Sequence, residues 1–86
     1  MKYTNNKMKW IWTLHIEKQL TERKIPKELV EIAINNPDGI VEGKKKRKIY
    51  QKIIENKLIR VITENNKLIT VYLTDKIEKY MRGDEK

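Results

Sequence analysis

The stretch Leu58-Ile59-Arg60-Val61-Ile62-Thr63, Glu64-Asn65-Asn66-Lys67, Leu68-Ile69-Thr70-Val71-Tyr72-Leu73-Thr74 decides the fold. It reads as two strands joined by a tight turn. The strands are rich in β-branched residues, and Asn tolerates the positive φ that hairpin turns demand. Side chains alternate between faces along a strand. One face of the pair carries Ile59, Val61, Thr63, Ile69, Val71 and Leu73, which are expected to pack on helices. The opposite face gathers Leu58, Arg60, Ile62, Leu68, Thr70, Tyr72 and Thr74. An arginine beside a tyrosine on the polar side of a sheet is the most informative feature of the chain.

Working backwards, Ile49-Tyr50-Gln51-Lys52-Ile53-Ile54 predicts another strand, followed by the turn Glu55-Asn56-Lys57. Ile40-Val41-Glu42 is a short strand or arm, and Gly43 breaks it. Before it, Pro26 suits the first turn of a helix, and Glu28 favours the positive end of its dipole. Leu29, Val30, Ile32, Ala33 and Ile34 make that helix apolar round most of its circumference, so it is expected to be buried. Asn35-Asn36-Pro37-Asp38-Gly39 ends it. An earlier helix is predicted over 13–24, with Thr13 as N-cap and Leu14, Ile16 and Leu20 on its apolar stripe. Lys9 to Thr13 reads as a short strand. Beyond the hairpin, Asp75 is expected to cap a short last helix from Lys76 to Arg82.

The fold class is therefore α+β: a short strand, two helices on an antiparallel meander, and a short C-terminal helix. Residues 9–82 are expected to form one domain, with a flexible N-terminus over 1–8 and a flexible tail over 83–86.

Composition narrows the function. The chain has 86 residues, a net charge of +8 and a pI of about 9.7. There is no Cys, one His and only three Gly. This excludes a disulfide framework, thiolate chemistry and a glycine-rich phosphate loop. With so few ligand-type residues, no metal and no cofactor are expected. No apolar run is long enough to span a membrane, and the apolar segment Trp10 to Trp12 is too short for a signal peptide. The expected location is the cytoplasm, with no membrane partner. What remains is a nucleic-acid module, a small nuclease or a charged interaction domain.

Lys44-Lys45-Lys46-Arg47-Lys48, with Lys52 nearby, is the strongest electrostatic feature. Such a run attracts a phosphate backbone but reads no sequence. Trp10 and Trp12 are expected on one face, packing a core or a homodimer interface, with base stacking as the alternative.

The segment Thr13-Leu14-His15-Ile16-Glu17-Lys18-Gln19-Leu20-Thr21-Glu22-Arg23-Lys24-Ile25 resembles the T-x-H-A-x-x-R-x-x-x-R-G-I opening of a family of small domains related to RelE-type and BrnT-type toxins. Asn36-Pro37, Tyr50, Leu58-Ile59-Arg60-Val61 and Thr70-Val71-Tyr72 fit its later pieces, so the resemblance covers about 12–80. Ile16, Gln19 and Lys24 stand where that opening has Ala, Arg and Gly. The resemblance implies a RelE-like fold and a toxin of a toxin–antitoxin system, an endoribonuclease that needs no metal.

On that reading the catalytic candidates are His15 as a general acid or base, Arg60 as the clamp on the scissile phosphate, and Tyr72 and Tyr80 as proton donors or stacking groups. Lys44, Lys45, Lys46, Arg47, Lys48, Lys52 and Arg23 are candidates to hold RNA, including ribosome-bound mRNA. An antitoxin would be the protein partner. The alternative is a non-catalytic module that binds RNA or an acidic partner. In plainer roles, Arg60 would pair with Glu64 or Glu55, Arg23 would complement a helix dipole, and Tyr72 would simply pack on the sheet.

Overall fold

The structure is a computed structural model that describes residues 9–81. The flexible ends expected over 1–8 and 83–86, and Arg82, lie outside the described residues. The elements are β1 (Ile11–Trp12), α1 (Leu14–Arg23), α2 (Lys27–Asn35), β2 (Gly39–Glu42), β3 (Arg47–Ile54), β4 (Lys57–Glu64), β5 (Lys67–Thr74) and α3 (Ile77–Met81). The strands form one five-stranded sheet in the order β1-β5-β4-β3-β2. All neighbours are antiparallel except β1, which runs parallel to β5 and pairs only with Lys67 and Leu68. This is the α+β arrangement the sequence predicts.

Local chemistry explains the element ends. The Thr13 hydroxyl caps α1 by accepting the Ile16 N–H, and also donates to the Leu68 carbonyl at 2.8 Å. The end of α1 is a Schellman-type turn. Lys24 adopts the left-handed conformation at φ 54°, and the Ile25 N–H returns to the Leu20 carbonyl at 2.9 Å. Pro26 sits one residue earlier than expected, as the N-cap of α2 rather than inside it. The turn Asn65–Asn66 has φ of 52° and 69°, the double positive φ of a type I′ hairpin.

One core lies between the sheet and the two longer helices. Ile16, Leu20, Ile25, Val30, Ala33 and Ile34 pack on Tyr50, Ile59, Val61, Leu68 and Val71, with Trp10, Trp12, Leu29 and Ile54 at its margin. Burying such a set supplies most of the drive to fold, at about 25 cal/mol per Å² of apolar surface.

Three expectations are corrected. A β-bulge between Ile62 and Thr63 sets Thr63 against Leu68 and Ile62 against Thr70. The extra residue shifts the alternation, so Leu68, not Ile69, enters the core. Helix α2 is not buried all round, because Ile32 faces outward at 43% exposure. Finally, the Asp75 carboxylate is drawn to Lys57 at 2.7 Å. At the start of α3 the Lys76 N–H is bonded by the Thr74 hydroxyl instead.

Candidate functional site

On the sheet face opposite the core, strand register assembles a polar row. Gly39 pairs with Gln51, Gln51 with Arg60, and Arg60 with Tyr72, so four adjacent strands each give one residue. Arg60 is 5% exposed and Gln51 1%. Burying a guanidinium costs several kcal/mol unless its donors are satisfied. Here Nε donates to Gln51 Oε1 at 2.7 Å and Nη1 donates to the Tyr72 hydroxyl at 2.6 Å.

Helix α3 folds back over this row. The Tyr80 ring lies 3.9 Å from the guanidinium carbon, and the Tyr72 ring 5.8 Å from it. Met81 places its sulfur 3.3 Å from Gln51 Nε2. Gly39 leaves room for this contact, since a Cβ there would stand 3.3 Å from the Met81 methyl, a tight approach. Arg60 is thus enclosed by two tyrosines and a glutamine, a cation-π setting as well as a hydrogen-bonded one.

Burial pushes the Tyr72 phenol above its ordinary value, and the Arg60 charge works against that rise. Tyr72 is therefore a neutral hydroxyl at physiological pH. It can donate a proton or a hydrogen bond but is a poor base.

The structure brings Arg60, Tyr72 and Tyr80 together and places His15 elsewhere. His15 is exposed on α1, with its Nε2 3.1 Å from Gln19 Nε2. Gln19 Oε1 accepts from the Thr70 hydroxyl at 2.6 Å and from the Val71 N–H at 3.0 Å. Its amide nitrogen is then the group turned to His15, which makes His15 Nε2 the acceptor. One turn on, Arg23 Nη1 donates to the Val71 carbonyl at 2.7 Å. Residues 15, 19 and 23 form one helical stripe along β5 where β1 has ended. Gln19 and Arg23 satisfy the Val71 backbone as a neighbouring strand would.

The basic candidates separate into two groups. Arg47 bonds Glu64 at 3.2 Å, Lys52 approaches Asp38 at 3.5 Å, and Arg23 holds Val71. Glu64, expected as a partner for Arg60, is thus taken by Arg47. Lys44, Lys45, Lys46 and Lys48 are exposed, and among the described residues no carboxylate lies within 4.0 Å of their ammonium groups. Tyr50 belongs to the core, where Trp10 meets it edge to face at 5.4 Å. Among the described residues no three His, Asp or Glu side chains come together, and no helix is long and apolar enough to cross a membrane.

Sequence reasoning missed Gln51 and Gln19 as site residues; it set Thr70 on the Arg60 face, and the Thr70 hydroxyl donates to Gln19. Gln51 lies in the predicted strand, and pairing that strand with 58–63 in register would have set it opposite Arg60. Gln19 was legible only as a departure from an arginine position.

Fold and site together define a small mixed-sheet domain with an arginine-centred polar face. The chain belongs to the family described as a domain of unknown function, DUF4258, matched over residues 12–73. That span holds the row from Gly39 to Tyr72 and stops short of α3. No curated protein and no solved structure matches the chain.

Proposed function

We propose that the protein acts on RNA in the cytoplasm as a metal-independent endoribonuclease, of the RelE-related toxin type that its opening motif resembles. The observation that carries this reading is the row Gln51–Arg60–Tyr72 beneath Tyr80. A sheet face needs no buried arginine for stability, and a charge retained at that cost points to a functional site.

The reaction is attack of a ribose 2′-hydroxyl on the adjacent phosphorus. The bond from phosphorus to the 5′ oxygen breaks, giving a 2′,3′-cyclic phosphate and a free 5′-hydroxyl. Arg60 steadies the charge that grows on the non-bridging oxygens. The 2′-hydroxyl loses its proton to solvent water, while Tyr72, neutral and bonded to Arg60, gives its proton to the leaving 5′ oxygen and recovers one from water. His15 stands outside this set, on the neighbouring helix. The lysines at 44–48 draw RNA in, and an antitoxin partner covering the sheet face would keep the protein inactive.

A second reading follows from the burial of Arg60. Its guanidinium already has Gln51, Tyr72 and Tyr80 around it, so a phosphate must displace the Tyr80 ring to reach it. On this reading the protein binds RNA without cutting it, and the row fastens α3 to the sheet.

Mapping RNA 5′ ends in cells minutes after induction separates the two. Wild type is expected to create new ends that Tyr72→Phe and Arg60→Lys do not, with all three chains soluble. The cut positions would show whether cleavage follows the reading frame, and hence the ribosome. Absence of new ends with wild-type protein, soluble and free of any antitoxin, overturns the nuclease reading in favour of the binding one.

A further inference from the structure

A second polar site lies at the opposite end of the sheet. Trp10, Lys46, Lys48, Tyr50, Thr63, Asn65 and Asn66 line a cleft of about 220 Å³. Strand register puts Lys48 and Tyr50 on the core face, away from Arg60, opposite Thr63 and Val61. The cleft is therefore walled by the edge of the core and by two hairpin turns, Lys45–Lys46 and Asn65–Asn66.

Both turns carry two successive residues at positive φ: 59° and 65° in the first, 52° and 69° in the second. Asparagine adopts this conformation readily, whereas lysine pays about 1 kcal/mol or more for it. An Asn-Gly turn would close the first hairpin without strain. The chain instead keeps two lysines there, and the second of them reaches the cleft. Glu42 sits directly across from Lys48 in the sheet. Even so, among the described residues neither Lys46 nor Lys48 has a carboxylate within 4.0 Å.

The lining combines three chemistries. Two ammonium groups with no carboxylate partner among the described residues suit a phosphate. Trp10 is only half-buried, and its indole gives a planar apolar surface. The Asn65 and Asn66 amides are paired donor and acceptor groups of the kind that meet a base edge. Pockets for free small molecules usually run to about 300–1,000 Å³. The smaller volume here fits one unit of a chain whose remainder passes over the surface.

We propose that this cleft is a subsite for one nucleotide of single-stranded RNA. Lys46 and Lys48 hold its phosphate, its base lies on Trp10, and the asparagine amides meet the base edge. The inference rests on the reading that RNA is the ligand, but not on cleavage.

The test uses a 2′-O-methyl RNA decamer, which lacks the attacking hydroxyl and cannot be cut. Binding is followed through the two tryptophan indole N–H resonances of the full chain, assigned with Trp12→Phe. The decamer should shift the Trp10 signal and leave that of Trp12 in place. Lys46→Asn, which suits the turn, and Lys48→Gln should each weaken binding several-fold. The double variant should also lower the salt slope by about 0.7, the loss of one single-strand phosphate contact. Lys18→Ala, an exposed lysine on α1, should change neither. Equal weakening by Lys18→Ala, or an equal Trp10 shift with heparin, would reduce the site to general charge attraction and overturn the proposal. AMP binding as tightly as the decamer would overturn the chain subsite in favour of a free-nucleotide site. Binding as proposed without any cellular cleavage would leave this subsite standing and remove only the nuclease.

Discussion

Arg60 and Tyr72 face each other directly across β4 and β5, and the guanidinium donates to the phenol oxygen at 2.6 Å. The bond turns a buried charge and a partly buried hydroxyl into mutual partners, and it makes pH a probe of the site. Burial, the larger influence, raises the Tyr72 pKa above its ordinary value, against the pull of Arg60. The sign follows from linkage. A group whose pKa rises on folding stabilises the fold at pH values below about 10, where an unfolded tyrosine keeps its proton. That stability is lost as pH climbs through the raised value. Urea unfolding should therefore show a falling midpoint above about pH 10, and Tyr72→Phe should flatten that part of the fall. At neutral pH, Tyr72→Phe should cost about 1.5–3 kcal/mol, the worth of a hydrogen bond to a charged donor. An undiminished alkaline loss in Tyr72→Phe would show that Tyr72 does not titrate as described.

Gln51 is the other half of the Arg60 environment. Gln51→Met keeps the volume but leaves Arg60 Nε buried without its acceptor. The expected loss is about 1–3 kcal/mol. Replacing both residues, as in Gln51→Met with Arg60→Met, removes the orphaned charge together with its partner. The double variant should then be more stable than additivity of the two single changes predicts, by about 1 kcal/mol or more. Strict additivity in a denaturation cycle would mean that the 2.7 Å bond contributes no coupling.

How far the sequence discloses this site depends on the kind of signal. The hairpin 58–74, the Asn-Asn turn and the Thr13 cap are local, and each was legible from neighbouring residues alone. The meeting of Arg60 with Tyr72 was also legible, because alternation within a hairpin sets the face. Gln51 was not, since its place depends on the register of a third strand. The bulge at Ile62/Thr63 left no mark in the hydrophobic pattern, because Leu68 and Ile69 are equally apolar. The same holds for the basic run. Sequence treats its residues alike, but Arg47 and Lys52 find carboxylates only once the strands pair.

Gln19 is a position where the more basic residue would be the worse one for this structure. Its carbonyl oxygen accepts from Thr70 and from the Val71 N–H at the unpaired part of the β5 edge. Arginine offers donors only. Gln19→Arg should therefore lose about 1–3 kcal/mol by leaving the Val71 N–H unsatisfied. Gln19→Glu keeps the acceptor and should lose less. Amide hydrogen exchange gives a local reading: Val71 should lose protection in Gln19→Arg and retain it in Gln19→Glu. Unchanged Val71 protection in Gln19→Arg would show that the edge is closed by something other than this side chain.

Lys24 carries the last prediction. It occupies the left-handed position of the turn that ends α1, at φ 54°. The turn itself is well supported, because the Ile25 N–H reaches back to Leu20 and both side chains are buried. Lys24 is exposed, so packing gives it no reason to be lysine. The strain arises from its Cβ, and glycine, the residue of the resembling motif, has none. Against this gain stands the greater freedom of glycine in the unfolded chain, which reduces the benefit without cancelling it. Lys24→Gly should stabilise the protein by about 0.5–1 kcal/mol, raising Tm by about 2–8 °C for a domain of this size. Lys24→Ala keeps the Cβ and loses only the charge, so it should give no gain. Equal stabilisation by the two variants would assign the cost to the lysine charge in a protein of net charge +8, and not to the backbone.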